Sequence, residues 1–143
     1  MSYDATTELI TMQANVIAGS YAAWGWGASM TNTEIVHFRA DSASSAVTNW
    51  FATGTHMPSS NSAVDACYTS SFTDGGSSVD FTVTRPLDCG IDTSYVVQVD
   101  AELDLIAAWN PKSPEMSFHG ANHLEFKQTL GSDGTCGAST FLQ

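Results

Sequence analysis

Apolar and polar residues alternate with a period of two along most of the chain. From Glu8 to Val16, the residues Ile10, Met12, Ala14 and Val16 stand between polar neighbours, the spacing of a strand with one buried face. Ser20 to Gly27 places Trp24 and Trp26 on one face, and Thr33 to Ala40 sends Val36 and Phe38 one way while Ile35, His37 and Arg39 go the other. Val47 to Ala52 is short enough to read as a strand or as a helical turn. Cys67 to Phe72 and Val79 to Arg85 flank Asp74-Gly75-Gly76-Ser77, a hairpin signature with Val79, Phe81 and Val83 facing inward. Val96 to Val99, Leu103 to Trp109 and His123 to Leu130 follow, the last with Leu124, Phe126 and Gln128 on one face.

Eight or nine short strands separated by Gly, Asn, Asp and Pro turns, without a convincing stretch of helical period, predict an all-β fold: an antiparallel β-sandwich of the immunoglobulin-like, two-sheet kind. Val36, Phe38, Phe81, Val83, Leu103 and Leu105 are the expected core, between the sheets or beneath a ligand. At 143 residues and 43% hydrophobic, without internal repeats or a linker, the chain reads as one domain spanning 1–143. The loop from Asn110 to Phe118, with Pro111 and Pro114, is the longest after the Thr53 to Asp65 segment. Loops at the ends of a sandwich are where sites are usually built.

Charge narrows the partners. Four basic residues stand against 15 acidic ones, a net charge of −11 that repels phosphate backbones and anionic headgroups and excludes nucleic acid. No run approaches the ~20 apolar residues of a membrane helix, so direct membrane insertion is not expected. The start, Met1-Ser2-Tyr3-Asp4-Ala5, lacks the basic and apolar regions of an intact secretory signal. Few lysines with abundant Ser, Thr and Gly suit a secreted, extracytoplasmic β-protein, although no glycosylation sequon adds support. Cys67, Cys89 and Cys136 form no C-x-x-C pair, which argues against zinc and thioredoxin-like chemistry. In an oxidising compartment one pair is expected to bridge, with Cys89, on the turn beyond Arg85-Pro86, as one half.

Several motifs lead nowhere. Gly25-Trp26-Gly27 lacks the third glycine and the strand-to-helix context of a dinucleotide fingerprint. His119 and His123 have the spacing of a helical metal pair, but in a strand four residues span ~13 Å, so a shared metal is not expected. Asp100, Glu102 and Asp104 alternate with Ala101, Leu103 and Leu105, the solvated face of a strand rather than a calcium loop. No Gly-x-Ser-x-Gly elbow occurs and no serine or cysteine is placed beside a histidine base. No catalytic residue is assigned, and the chain is not expected to be an enzyme on its own.

The remaining chemistry is a thioether and an imidazole on two loops, Met30 after Gly25-Trp26-Gly27-Ala28-Ser29 and His119 in Phe118-His119-Gly120. Such a pair can fill both axial positions of a haem iron, which then exchanges electrons instead of binding substrate. The stretch Tyr21 to Val36, a small-residue strand ending at Met30 before a hydrophobic strand, resembles the corresponding segment of DOMON domains. Phe81-Thr82-Val83-Thr84-Arg85-Pro86-Leu87-Asp88 resembles that family's later strand and its Arg-Pro-Leu turn. Leu105-Ile106-Ala107-Ala108-Trp109, the Pro-containing loop and Phe118-His119-Gly120 resemble its apolar strand and downstream histidine. The resemblance runs in order over residues 8–130 and is to the cytochrome branch, which includes the cytochrome domain of cellobiose dehydrogenase.

What the resemblance implies is a noncovalent b-type haem, haem b with its iron held by Met30 and His119, in an electron-transfer module whose partner is a redox protein or a fused redox domain. The absence of Cys-x-x-Cys-His agrees with noncovalent attachment. His123 is the rival to His119 and Met116 to Met30, while Tyr21, Trp24, Trp26 and Phe118 are candidate walls of the haem pocket. Two other classes stay open: a DOMON-like carbohydrate-binding module stacking sugars on exposed Trp24, Trp26, Trp50 or Trp109, and an adhesive sandwich without ligand.

Overall fold

The structure, a computed structural model, describes residues 1–136 together with Thr140 and Phe141. Its strands in chain order are β1 (Ser2–Asp4), β2 (Leu9–Ile17), β3 (Ser20–Trp26), β4 (Thr31–Ala40), β5 (Ala46–Thr53), β6 (Ser59–Ser60), β7 (Thr69–Asp74), β8 (Ser78–Pro86), β9 (Glu102–Asn110), β10 (His123–Thr129) and β11 (Thr140–Phe141), with one short helix, α1 (Ser62–Asp65), before β7. Among the described residues they form two antiparallel sheets, one in the order β1-β2-β8-β7 and the other β11-β10-β9-β3-β4-β5-β6. The expected all-β sandwich is the observed architecture.

The period-two pattern decides which side chains meet. Met12, Val16, Val79, Phe81 and Val83 of the smaller sheet bury against Trp26, Val36, Phe38, Leu103 and Leu105 of the larger one. All six expected core residues are among them. Val47 to Ala52 is strand, paired with β4 from Ala46 onwards.

One expected strand is not formed. Val96 to Val99 lies in an irregular segment because its neighbours' backbone groups are taken by buried side chains. Tyr95 N–H donates to Glu34 Oε2 at 2.5 Å and the Tyr95 carbonyl accepts from Arg85 Nη2 at 2.6 Å. Arg85 and Glu34 are themselves fully buried and paired, with Nη1 3.1 Å from both carboxylate oxygens. The Tyr68 hydroxyl donates to Glu34 Oε1, and desolvation together with the Glu34 charge holds that phenol far above its ordinary range. A buried carboxylate and guanidinium with this many partners are the condition under which charge is tolerated in a core. Beside this network, Cys67 and Cys89 are joined by a disulfide with their Cα atoms 5.7 Å apart, while Cys136 is an exposed free thiol.

Candidate functional site

The larger sheet carries a second apolar cluster on its outer face, away from the sandwich core: Tyr21, Ala23, Ile35 and Ala52, with Met30, Trp50 and Met116 packed against them. Small residues leave room above this face. A Cβ on Gly25 would fall 2.4 Å from Ile106 Cγ1, so the glycine lets Ile106 lie across β3 and floor a cavity. Two loops roof it. The Met30 loop leaves β3 at Trp26, paired with Leu105, whereas the loop to His119 leaves β9 at Asn110, paired with Tyr21. They therefore come from opposite ends of the same strand pair.

Met30 and His119 line the same space. An open cleft of about 470 Å³ is bounded by Met30, Met57, Ile106, Phe118, His119 and His123, among others, within the range of small-molecule and cofactor sites. A pocket of about 40 Å³ lies deeper, against Tyr21, Ala23 and Gly25, and again touches Met30, Met116 and His119.

Each loop is held beside its candidate ligand. The Thr33 hydroxyl donates to the Ser29 carbonyl next to Met30, and Gly27 at φ +149° accommodates Thr33, whose Oγ1 would sit 2.9 Å from a Cβ there. On the other side, the Tyr21 hydroxyl donates to the Ser117 carbonyl at 2.6 Å. Burial pushes this phenol's pKa up, so it remains a donor. Asn110 Nδ2 donates to Ser117 Oγ at 3.1 Å and Arg39 pairs with Glu115 at 2.6 Å.

The His119 ring is oriented by its own neighbour. Nδ1 lies 3.1 Å from the Gly120 carbonyl oxygen. A carbonyl only accepts, so Nδ1 carries the proton and Nε2 keeps its lone pair, the tautomer that a histidine ligand needs. Desolvation and then the nearby His123 lower the His119 pKa, which favours the neutral ring.

Not every expected wall residue reaches this space. Phe118 lines the cleft but is 86% exposed, its ring 5.8 Å from that of His119. Tyr21 lines the deeper pocket. Trp24 and Trp26 do not line either cavity: they share the inner face of β3, where Trp24 packs edge-on to Phe126 and Trp26, 0% exposed, stacks on Tyr95. Strand alternation that puts Tyr21, Ala23 and Gly25 towards the cleft necessarily turns both tryptophans away.

His119 and His123 are closer than strand spacing implies. Residues 119–122 form a turn, closed by Asn122 N–H on the His119 carbonyl at 3.1 Å, and the two ring centroids are 5.2 Å apart. His56, Met57 and Pro58 also line the cleft. They sit in the Thr53 to Asp65 segment, whose length was legible but whose chemistry carried no motif. Among the described residues no lysine or arginine lines the cleft: Arg39 is held by Asp41 and Glu115, Arg85 by Glu34, and Lys127 by Glu102 and Asp104, while Lys112 is exposed on the loop after Asn110.

Among solved structures, the fold is similar to the cytochrome domain of Myriococcum thermophilum cellobiose dehydrogenase, with a TM-score of 0.65 over 88% of this chain and 68% of that one, at 14% sequence identity. No family model and no curated protein matches the chain.

Proposed function

We propose that this chain is an electron-transfer module that holds one noncovalent b-type haem in the outer-face cleft, with Met30 and His119 as its axial ligands. The observation that carries the reading is that a thioether and an imidazole whose Nδ1 faces the Gly120 carbonyl, 89 positions apart in sequence, line one apolar-floored cleft of about 470 Å³. The fold's likeness to a cytochrome domain supports it.

Bound haem would supply a one-electron couple; the protein supplies the environment that sets it. Met30 offers a soft ligand that favours ferrous iron, and Ile106, Ala107, Ala108 and Leu124 exclude water from one wall. Gly120 fixes the His119 ring, and Tyr21 fixes the loop that presents it. Met30 and His119 would together hold the iron of a bound haem, which would then exchange electrons instead of binding a substrate, so the chain acts in company. Its partner is a redox protein or a redox domain carried in the same polypeptide. The lining provides no fixed cation for the acidic groups of haem. The exposed Phe118 ring stands at the cleft and offers apolar surface to whatever covers it.

The Cys67–Cys89 bridge supports an oxidising, extracytoplasmic location. A sugar platform has less support, since Trp24 and Trp26 are turned into the core and Trp109 is the exposed tryptophan. A visible absorption spectrum of the protein after haem addition separates the readings. Stoichiometric uptake with reversible reduction is expected, and a protein that retains no haem excludes the proposed function.

A further inference from the structure

His119 and His123 make a pair that haem does not use in full. Their rings are tilted at 60° with centroids 5.2 Å apart, and both line the cleft. A metal bound ~2.0 Å from a ring nitrogen lies roughly 3.2 Å from that ring's centroid. Two imidazoles meeting at one ion at a tetrahedral to trigonal angle therefore have centroids roughly 5 to 5.5 Å apart, which matches the observed separation. His119 Nδ1 is committed to Gly120, leaving Nε2 as its donor atom.

The rest of the lining selects the ion. Among the described residues, no third His, Cys, Asp or Glu joins these two in a metal-holding cluster, so an ion that demands four hard or borderline protein ligands is not served. The other donor groups in the cleft are the thioethers of Met30 and Met57, the imidazole of His56 and the carboxylate of Glu125, which forms no metal-holding cluster with the two histidines. Thioether with imidazole is the donor set preferred by a soft, low-coordinate ion, copper(I), over zinc, calcium or magnesium. Met57, 51% exposed on its loop, is also free of the packing that holds the core methionines.

We propose that the chain without haem binds one copper(I) ion between His119 and His123, with a methionine thioether of the same cleft as the third ligand. The site goes beyond haem ligation but shares His119 with it, so the two ligands are alternatives.

Copper(I) alone is the probe, added anaerobically to the full chain without haem in competition with a chromophoric copper(I) chelator. All variants carry Cys136→Ser, because that exposed thiol would bind the ion itself. One equivalent is expected to bind, with affinity falling at least tenfold in His119→Ala and in His123→Ala. Circular dichroism confirms that each variant keeps its strands. Haem uptake is measured separately on the parent protein, which keeps failure of the copper site distinct from failure of the haem reading. Absence of a stoichiometric copper(I) complex, or equal affinity in the parent and both histidine variants, overturns the proposal whatever haem does.

Discussion

The Tyr21 hydroxyl reaches from the sheet to the Ser117 carbonyl at 2.6 Å, two residues before His119. It joins the rigid face of β3 to the loop that presents the imidazole, so the position of that ring is set by a strand rather than by the loop alone. Replacing Tyr21 with Phe removes one hydrogen bond of about 1 kcal/mol and leaves the ring's packing in place. Haem is expected to transfer to a scavenging apoprotein roughly five times faster, with the fold's melting temperature lowered by only about 2 to 5 °C. A transfer rate equal to that of the parent would remove Tyr21 from the account of how His119 is positioned.

Glu34 and Arg85 are each other's answer to burial. Truncating Arg85 to Met strands a carboxylate in the core and frees the Tyr95 segment, at a cost of about 3 to 5 kcal/mol. Urea unfolding should show this loss in Arg85→Met. The double variant Glu34→Gln with Arg85→Met should recover part of it, since no bare charge then remains buried.

His37 gives the fold a defined acid sensitivity. Burial first, and then the Arg39 charge, lower its pKa from 6.5 to about 4. Above pH 6.5 the ring is neutral in both folded and unfolded chains, so stability is highest there. As pH falls from about 6.5 to about 4, the unfolded chain takes up the proton and the folded one does not. Stability is then lost by roughly 3 kcal/mol. Melting temperatures across this window should fall more steeply in the parent than in His37→Gln, and parallel curves would exclude His37 as the cause.

The disulfide closes a loop with a sequence separation of 22, which restricts the unfolded chain by roughly 3 kcal/mol. Alkylation under denaturing conditions should mark one thiol before reduction, Cys136, and three afterwards. Reduction should lower the urea midpoint, and three thiols labelled without reductant would exclude the bridge.

The sheets were legible because alternation was strong where two faces differ in burial, as in β2, β4 and β8. Ser2–Asp4 and Ser59–Ser60 are too short to carry a period. Val96 to Val99 misled because its apolar alternation is satisfied by the packing of Val97 and Val99 into the core, while its neighbour's backbone bonds come from Glu34 and Arg85 across the sequence. The candidate ligands Met30 and His119 rest on residue type and loop position together with the resemblance to DOMON domains. The walls were harder to read: bulky Trp24 and Trp26 drew attention, yet a cleft needs the small side, and Ala23 and Gly25 supply it. The His119–His123 proximity is not legible from strand spacing, because Gly120 at φ +65° makes a turn between them.

The ligand pair is tested most directly by the absorption spectra of the haem-loaded protein and of its Met30→Ala and His119→Ala variants, in both oxidation states. The parent should be low-spin throughout. His119→Ala should lose most of its haem, since imidazole is the stronger ligand. Met30→Ala should retain haem with an open or water-filled position and a lower potential, because the thioether that favours ferrous iron is gone. Low-spin spectra in both variants, with the losses appearing instead in His123→Ala or Met116→Ala, would contradict the assignment of Met30 and His119.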